Sequence, residues 1–498
     1  MDKHTTLRSV TFGQRVAEEE TENLASYFVE TDHWTRLFRG DIDVIYGPKG
    51  AGKSALYSLL ISRRFELSDK NILLVAAENP RGAPAFRNLL WDPPASEREF
   101  MGLWKLYFAT LLHGLLTEYD IKNDSAAQLQ RALEREGLVR GSLSLAGILT
   151  GVFNYVRSAL RPKAVEGGIE LDPITQMPKG FSGKIIFSEP TKAGVDPDLR
   201  SVDRLLELAN VAFEAGGMKA WILLDRLDVA FSENIELEAN ALRALFRVYL
   251  DLLAHPRIQL KIFLRTDIWA RVTTEGFREA SHVTRHLTIE WNRNSLLNLV
   301  IRRAAHNESI RAAYGVEVEI GQSPVATQEK FFYEICPDQV DVGPNKPTTL
   351  DWLLSRTRDG TKTNAPRELV HLLNSLRDVQ VRRFELGAEP APEFNQLFAR
   401  VAFKEALPEV SKVRLEQTLY AEHPDQKPWL EKLKGERTLQ TPETLAQIWA
   451  VPVDEAILRA ATLASIGFFE QRGTKQAPEY WVPFLYREAL DLVQGAAE

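Results

Sequence analysis

The chain has 498 residues, of which 44% are hydrophobic and 26% are charged, which is typical of a globular protein and argues against a disordered or fibrous one. At this length a single core rarely suffices, so we expect two to four domains. The formal net charge of -7 excludes a global attraction to phosphate backbones, so nucleic-acid binding would need a local basic face. The single cysteine, Cys336, excludes an intrachain disulfide and fits a reducing compartment.

The N-terminal segment and the most apolar segment both argue against export and membrane insertion. The first twenty residues, MDKHTTLRSVTFGQRVAEEE, lack the apolar stretch of a secretory signal, which predicts a cytoplasmic protein. The run LSLAGILTGVFNYV at 143–156 is interrupted by small and polar residues and is too short to span a bilayer. We therefore expect a buried helix there and no membrane association.

The first 290 residues alternate between apolar strands and amphipathic helices. Apolar residues before the first strand recur at helical spacing, and a strongly amphipathic helix is predicted at 98–116. The Gly- and Pro-rich segment 162–198 is interpreted as an insertion, in the form of a hairpin. The predicted strands lie at 41–46, 71–79, 220–225, 261–269 and 286–291. Strands separated by helices predict a three-layer α/β core with a parallel sheet.

After Trp291 the pattern becomes mostly helical. The segment 364–380 carries Pro366 in the first turn of a predicted lid helix. The last hundred residues end in a helix, a strand at 467–470, a polar turn, a strand at 480–484 and a final helix, which predicts a winged-helix domain. We therefore predict a P-loop core at 1–290 with N-terminal helices, a helical lid at 291–385 and a winged-helix-like domain at 386–498.

A glycine-rich loop lies between the first strand and the helix that follows it. The sequence GPKGAGKS at 47–54 matches G-x-x-x-x-G-K-[ST] in the strand-to-helix context that the motif requires. Its backbone N–H groups would surround phosphate oxygens at a helix N-terminus, where the helix dipole favours anions. Lys53 would reach the β- and γ-phosphates of ATP, and Ser54 would bind Mg²⁺. The predicted nucleotide-binding residues are Gly47, Pro48, Lys49, Gly50, Ala51, Gly52, Lys53, Ser54 and Ala55.

The segment WILLDRLDVAF supplies a second candidate motif. Asp225 ends an apolar strand, at the edge where open α/β sheets bind ligands, and is predicted to hold Mg²⁺ together with Ser54. Asp228 is the candidate for orienting or activating the attacking water, because no glutamate follows Asp225 directly. The alternative is that Asp228 caps the next turn.

Two arginines are candidates for sensing the γ-phosphate. Arg265, or Thr266 beside it, lies at the end of the strand predicted in KIFLRTDIW, with Asp267 nearby as an orienting group. The alternative is that Arg265 and Asp267 pair with each other on the surface. In NAPRELV, Arg367 enters at the first turn of the lid helix and could bind the γ-phosphate with its guanidinium. The alternative is a solvated helix arginine.

These motifs in this order resemble the AAA+ and STAND class of P-loop ATPases. The resemblance rests on GPKGAGKS, WILLDRLD, the strand end FLRTD, the APR of 365–367 and the predicted winged helix. Within that class, FGQRVAEEE, YFVET, YGPKGAGKSAL and LLDRLD resemble a bacterial P-loop ATPase family described as ATP-binding proteins. The resemblance implies an ATPase that uses ATP and Mg²⁺, moves its lid against the core and works as a homo-oligomer.

The sequence departs from the class in one place and leaves another role unassigned. Val229 follows Asp228 where related signalling ATPases carry a second acid, which predicts slow hydrolysis. An arginine acting in trans cannot be assigned among Arg243, Arg247, Arg271 and Arg278.

Three functions fit these observations. The first is an ATP-driven switch of STAND or AAA+ type in bacterial antiphage defence or stress signalling, a role that rests on family analogy. The second is an initiator or loader ATPase that binds duplex DNA with its winged helix. Its candidate basic residues alternate with glutamates and form no continuous face: Lys404, Lys412, Arg414, Lys432, Lys434 and Arg437. The third is a regulatory subunit whose winged helix binds a separate effector protein.

Overall fold

The computed structural model describes residues 2–14, 20, 24, 28, 32–78, 96–139, 144–160, 185–186, 200–227, 235–274, 276–474 and 476–496. The strands are β1 (Val44–Gly47), β2 (Ile72–Ala76), β3 (Ile185–Ile186), β4 (Arg200–Ser201), β5 (Lys219–Leu224), β6 (Ile258–Arg265), β7 (His286–Thr288), β8 (Arg437–Gln440), β9 (Glu470–Gly473), β10 (Pro478–Trp481) and β11 (Val493–Ala496).

The helices of the first half are α1 (Lys3–Ser9), α2 (Asp32–Arg39), α3 (Lys53–Ser62), α4 (Arg64–Ser68), α5 (Glu97–Glu118), α6 (Asp124–Arg135), α7 (Leu145–Leu160), α8 (Val202–Ala215), α9 (Ile235–Leu252) and α10 (Thr266–Thr274). Those of the second half are α11 (Arg293–His306), α12 (Glu308–Tyr314), α13 (Val325–Ile335), α14 (Thr349–Arg356), α15 (Pro366–Glu385), α16 (Arg400–Arg414), α17 (Lys427–Glu431), α18 (Pro442–Trp449), α19 (Val453–Ser465) and α20 (Phe484–Arg487). A π-helical turn, Leu415–Tyr420, follows α16 directly.

The chain divides into two compact units. One comprises Thr31–Gly47 and Lys53–Ile289, and the other comprises Met1–Glu30, Pro48–Gly52 and Glu290–Glu498. We call them the core unit and the C-terminal unit. The five residues Pro48–Gly52, the tip of the glycine-rich loop, belong to the C-terminal unit, although the loop is continuous in sequence with the core unit. The division of the chain into three domains stays a prediction.

The core unit is an α/β domain built on a five-stranded sheet in the order β2-β5-β6-β1-β7, in which every neighbouring pair is parallel. Helices α5, α8 and α9 pack together in its hydrophobic core. The longest of them, α5, begins with a capping box between Ser96 and Glu99, and its apolar side chains are buried nearly all round, as expected of a central helix. The fold is therefore the P-loop type of parallel sheet that the sequence predicts.

All five strands predicted for the core are present, with boundaries that differ from the predicted ones by up to four residues. The strand predicted at 261–269 is β6, which ends at Arg265, and Thr266 begins α10. Ile268 belongs to α10 and is buried there, so its apolar side chain is removed from water in a helix rather than in a strand. Of the predicted insertion 162–198, only β3 lies within the described residues, and it pairs in parallel with β4.

A buried ion pair lies where β1 begins, at the end of the strand opposite the glycine-rich loop. The ammonium of Lys261, on β6, lies 2.8 Å from Asp43 Oδ1 and 2.6 Å from the carbonyl oxygen of Ile42, and Lys261 is fully buried. Burial lowers the pKa of Lys261 to about 8, against the opposing attraction of Asp43. Asp43 has a second cationic partner in Arg285, whose Nε lies 2.8 Å from Asp43 Oδ2.

The C-terminal unit contains a helical region followed by a winged-helix arrangement. Its second sheet has the order β11-β8-β10-β9, with β9 and β10 forming an antiparallel hairpin after the helices α18 and α19. The two hairpin strands lie at 470–473 and 478–481, a few residues from the predicted positions. The predicted final helix is the short α20, and β8 and β11 were not predicted. Among the described residues, the helices that are long enough to cross a membrane are not sufficiently apolar to do so.

Candidate nucleotide site

The glycine-rich loop connects β1, which ends at Gly47, to α3, which begins at Lys53. Gly50 has a φ of 81° and Gly52 a φ of 100°, in the left-handed region where a side chain would be strained. These two glycines let the loop turn directly into the first turn of a ten-residue helix. The first N–H groups of such a helix have no intrahelical partner, and together with the helix dipole they favour an anion.

Within the core unit, Lys53 lies at the first position of α3, with Ser54 and Ala55 in the same turn. The ammonium of Lys53 donates to the carbonyl oxygen of Gly47 at 2.8 Å. This bond directs the lysine side chain back along the loop.

Asp225 directly follows β5, and its side chain is 5% exposed. Arg226, the next residue, has a φ of 57°, a strained conformation for a residue other than glycine. The chain therefore turns sharply where the sequence predicts a magnesium ligand. Asp228, the predicted water-orienting residue, lies outside the described residues, so its role stays a prediction.

A second buried carboxylate, which the sequence analysis missed, lies near Asp225. Glu78 follows β2, the strand beside β5, and is 1% exposed. The hydroxyl of Tyr57 donates to the carbonyl oxygen of Glu78 at 2.8 Å. Burial raises the pKa of Tyr57 well above its usual value, and the charges of Asp225 and Glu78 raise it further. The sequence could have indicated Glu78, because it follows a predicted parallel strand and ligands bind at the carboxyl ends of such strands.

Arg265 and Asp267 form an ion pair, which the sequence analysis gave as the alternative to γ-phosphate sensing by Arg265. Arg265 Nε donates to Asp267 Oδ1 at 3.0 Å, and Nη2 donates to Oδ2 at 2.8 Å. Burial would raise the pKa of Asp267, but the hydrogen bonds and charge of Arg265, with the charge of Lys53, bring that pKa below its ordinary value. Arg265 is at the carboxyl end of β6 in register with Gly47, so the pair lies at the sheet edge that carries the loop.

Two of the arginines considered as trans-acting groups form ion pairs inside the core unit. Arg247 lies 2.7 Å from Glu97 and 3.3 Å from Glu279. Arg271 pairs with Glu238. A trans-acting role for either one would require it to leave these partners.

Within the C-terminal unit, the tip Pro48–Gly52 contacts helix α15 and its surroundings. A Cβ placed on Gly50 would lie 3.2 Å from the Cβ of Arg367 and 3.5 Å from Glu368 Oε2. The indole N–H of Trp291 donates to the carbonyl oxygen of Ala51 at 2.8 Å. Lys49 forms an ion pair with Glu422. The Cβ of Arg367 therefore lies beside the loop tip, and the role of its guanidinium as a γ-phosphate sensor stays a prediction. Trp291, Glu368 and Glu422 also lie beside the tip and were not predicted to do so.

The chain matches no protein-family model and no curated protein. Among solved structures, it is similar to the Orc1 protein of Aeropyrum pernix in complex with DNA, with 11% identity, 96% coverage of both chains and a TM-score of 0.40. It is also similar to the Orc2 protein of that organism in ADPNP-ADP complexes, with 12% identity, 96% and 94% coverage and a TM-score of 0.35. The ADP form of Orc2 gives 12% identity, 95% and 91% coverage and a TM-score of 0.31. These scores are too low to assign a function or a partner to this chain.

Proposed function

We propose that the chain is a P-loop ATPase of the AAA+ type that binds ATP at residues 47–55 and couples its hydrolysis to the C-terminal winged-helix region. The observation that supports this most directly is the loop itself. Two glycines in left-handed conformations connect a buried parallel strand to the N-terminus of α3, and Lys53 begins that helix. This geometry suits polyphosphate binding, because backbone N–H groups, the helix dipole and an ammonium all favour an anion.

The oxygen donors predicted for magnesium fit that ion chemically. Ser54 offers a hydroxyl in the first turn of α3, and Asp225 offers a buried carboxylate at the end of β5. Magnesium prefers oxygen ligands and takes few from the protein, since it keeps several waters and binds substrate phosphates. Ser54 and Asp225 are such a sparse pair of ligands. When bound, Mg²⁺ would neutralise charge developing on the phosphate oxygens.

The residues around the loop have separate roles in this proposal. The loop N–H groups and Lys53 bind and orient the phosphates, and Asp225 and Ser54 would hold Mg²⁺, which would supply positive charge to them. Asp228 orients the attacking water. Arg367, on the first turn of α15 and beside Gly50, reports the presence of the γ-phosphate to the C-terminal unit.

Asp225→Asn tests whether this carboxylate serves hydrolysis. We expect ATP to bind with nearly unchanged affinity, because the backbone N–H groups and Lys53 remain. Turnover should fall by about 100-fold or more, since the amide removes the charge that holds the ion. Fluorescent-nucleotide titration and phosphate release measure the two effects separately. Glu214→Gln is the control, because the Glu214 side chain is exposed on the outer face of α8. Equal turnover in the two variants would exclude the proposed role of Asp225.

Duplex DNA is a second candidate partner, and one surface of the wing favours it. Arg472, on β9, stacks on Trp481, with its Cζ atom 3.9 Å from the ring centroid. The Cζ atom of Arg487 lies 4.6 Å from the ring centroid of Trp481 and 4.1 Å from that of Phe484. Arg356 stacks on Phe484 at 3.9 Å. Burial, together with the charges of Arg356 and Arg472, lowers the pKa of Arg487 to about 10. Arg487 is buried, whereas the side chain of Arg472 is 41% exposed and also pairs with Glu470 at 2.9 Å, so Arg472 is the cation of the wing that a DNA phosphate could reach.

Other features of the region weaken the DNA candidate. Helix α19 carries two acids and one arginine, and that arginine, Arg459, is hydrogen-bonded to Glu455 at 3.0 Å. Arg414, one of the basic residues counted for DNA, is buried against Glu368. Lys404 pairs with Asp341 at 2.5 Å, and Lys434 lies 3.4 Å from Asp491. These pairings weaken α19 as a DNA-binding helix and favour the wing over it.

Arg472→Gln tests the wing as the DNA-binding element. If the wing binds duplex DNA, we expect the variant to lose about 3- to 10-fold in affinity and the salt dependence to fall by about one phosphate contact. Arg459→Gln on α19 is the matched control. Fluorescence anisotropy at several salt concentrations measures both quantities, and an absence of duplex binding by the unmodified protein at low salt would exclude the candidate.

Signalling of STAND type in defence, a homo-oligomer and a separate effector protein are hypotheses that rest on the resemblance. Mass photometry with ADP, with ATP and Mg²⁺, and with ATP and duplex DNA distinguishes them. Assembly that depends on ATP alone would favour the switch, and assembly that needs DNA would favour the loader.

A further inference from the structure

Two carboxylates of the C-terminal unit face the tip of the phosphate-binding loop. Glu422 forms an ion pair with Lys49, and these side chains are 20% and 31% exposed. Glu368 directs its Oε2 atom toward Gly50, and a Cβ on Gly50 would lie 3.5 Å from it. A loop suited to bind polyphosphate therefore has negative charge on two sides of its tip.

The two oxygens of Glu368 have different surroundings. Oε1 accepts a hydrogen bond from Arg414 Nη1 at 2.8 Å. Oε2 is buried and has no hydrogen-bond partner among the residues that the structure describes. A buried carboxylate oxygen without a donor is unfavourable. Glu368 is thus held by Arg414 on one side, while its other oxygen is directed at the loop.

Glu422 lies at the end of a long helical stretch. Helix α16 continues through the π-helical turn Leu415–Tyr420, and helical residues run to Glu422. A carboxylate at the C-terminal end of a helix is unfavourable, because the helix dipole is negative there. The ammonium of Lys49 offsets this repulsion. If phosphates attracted Lys49 away, the end of the helix would lose a cation that stabilises it.

Contacts within the C-terminal unit continue from Glu368 to the winged-helix region. Arg414 lies 3.6 Å from Asp359 Oδ2, and its Nε lies 3.4 Å from the hydroxyl of Tyr486 on α20. The backbone N–H of Gly360 donates to the carbonyl oxygen of Gly467 at 2.7 Å, just before the wing hairpin. A Cβ on Gly360 would lie 2.2 Å from the carbonyl oxygen of Phe469, so the two segments approach closely. The loop tip and the wing are therefore joined by a contiguous set of contacts.

We propose that Glu422 and Glu368 are positioning residues for the loop tip and that nucleotide phosphates compete with Glu422 for the Lys49 ammonium. This inference rests on the proposed nucleotide binding. A triphosphate brings more negative charge than a diphosphate, so ATP weakens the Lys49–Glu422 pair more than ADP does. Release of Glu422 loosens the end of the α16 stretch. The nucleotide state thereby affects the helix that carries Arg414 and, through the contacts of Arg414, the wing.

An ordinary surface ion pair is the alternative, and it predicts something different. Partly exposed pairs contribute little to stability, and a purely structural pair does not respond to the number of phosphates on a ligand. The ratio of the ATP and ADP affinities separates the two, because only competition for Lys49 makes that ratio depend on Glu422.

The test compares Glu422→Gln with Glu416→Gln, an exposed acid on the same helical stretch. We expect Glu422→Gln to bind a non-hydrolysable ATP analogue about 3- to 10-fold more tightly, with a smaller gain for ADP, because the freed ammonium and the lost carboxylate both favour phosphate. Glu416→Gln should leave both affinities within about 2-fold of the original, since exposed charges are screened. Isothermal titration calorimetry gives the affinities.

Two further measurements test the coupling. In a Lys49→Met background, Glu422→Gln should have little additional effect on the ATP affinity, because the two side chains act through each other. Hydrogen exchange across 411–423 should increase when the ATP analogue binds the unmodified protein, and should already be high in Glu422→Gln. An unchanged ATP to ADP ratio in Glu422→Gln overturns the inference while nucleotide binding stands. Failure of the unmodified protein to bind either nucleotide overturns the proposed function, and the inference with it.

Discussion

Lys53→Ala is expected to lower the affinity for ATP by about 100-fold or more. The ammonium is the main counter-charge that the loop offers to the phosphates, and charge pairs in a partly buried site are worth several kcal/mol at about 3 Å. In the structure this ammonium makes a hydrogen bond to the carbonyl oxygen of Gly47 at 2.8 Å. Losing one such bond costs about 1 kcal/mol, so the variant should still fold.

The measurement is a titration of ATP into both proteins, with the ATP-induced rise in melting temperature as a second readout. Lys122→Ala is the control, since that lysine is 82% exposed and pairs with Asp120 away from the loop. Because a ligand stabilises only the state that binds it, Lys53→Ala should show almost no rise at ATP concentrations that stabilise the control. An equal rise in both variants would place the nucleotide elsewhere.

The sequence predicted the parts of the core unit that have a local signal. Helix α5 spans Glu97–Glu118, close to the predicted 98–116, because its apolar side chains repeat at helical spacing over five turns. The glycine-rich loop was placed correctly between β1 and α3, since left-handed backbone positions require glycine and the motif states where they occur.

Short apolar segments were less predictable. The strand predicted through 269 ends at Arg265, because Ile268 and Trp269 are as compatible with a short helix as with a strand. Strands β8 and β11 have only four residues each, which is too short for an alternating pattern to be detected. They are defined by pairing with each other across about fifty residues of chain, which composition does not reveal.

The residues of the candidate site also divide into those with a local sequence signal and those without one. Gly47, Lys53 and Asp225 were predicted because each belongs to a local motif. Glu368 adjoins the predicted Arg367, yet its contact with the loop tip joins residues more than 300 positions apart. Glu422 pairs with Lys49 over a still longer separation. A single sequence carries no signal for such contacts, and these are the contacts on which the coupling proposal depends.

Arg414→Met is expected to destabilise the C-terminal unit strongly. The guanidinium is held between Glu368 at 2.8 Å and Asp359 at 3.6 Å, and its side chain is 10% exposed. Removing one partner of a buried ion pair leaves the other charge uncompensated, which costs about 3 to 5 kcal/mol. Burial already raises the pKa of Asp359 despite the opposing charge of Arg414, so the variant should raise that pKa further.

Lys412→Met is the matched control, because Lys412 is exposed on the same helix two residues earlier. Hydrogen exchange of the C-terminal unit in increasing urea measures its local stability without assuming that the two units unfold together. A second change distinguishes charge from packing: Arg414→Met with Glu368→Leu should recover part of the loss, since removing both charges is far less costly than removing one. If Arg414→Met were no more destabilising than Lys412→Met, the Glu368–Arg414–Asp359 contacts would not hold the unit together. They could not then carry a signal from the loop tip to the wing.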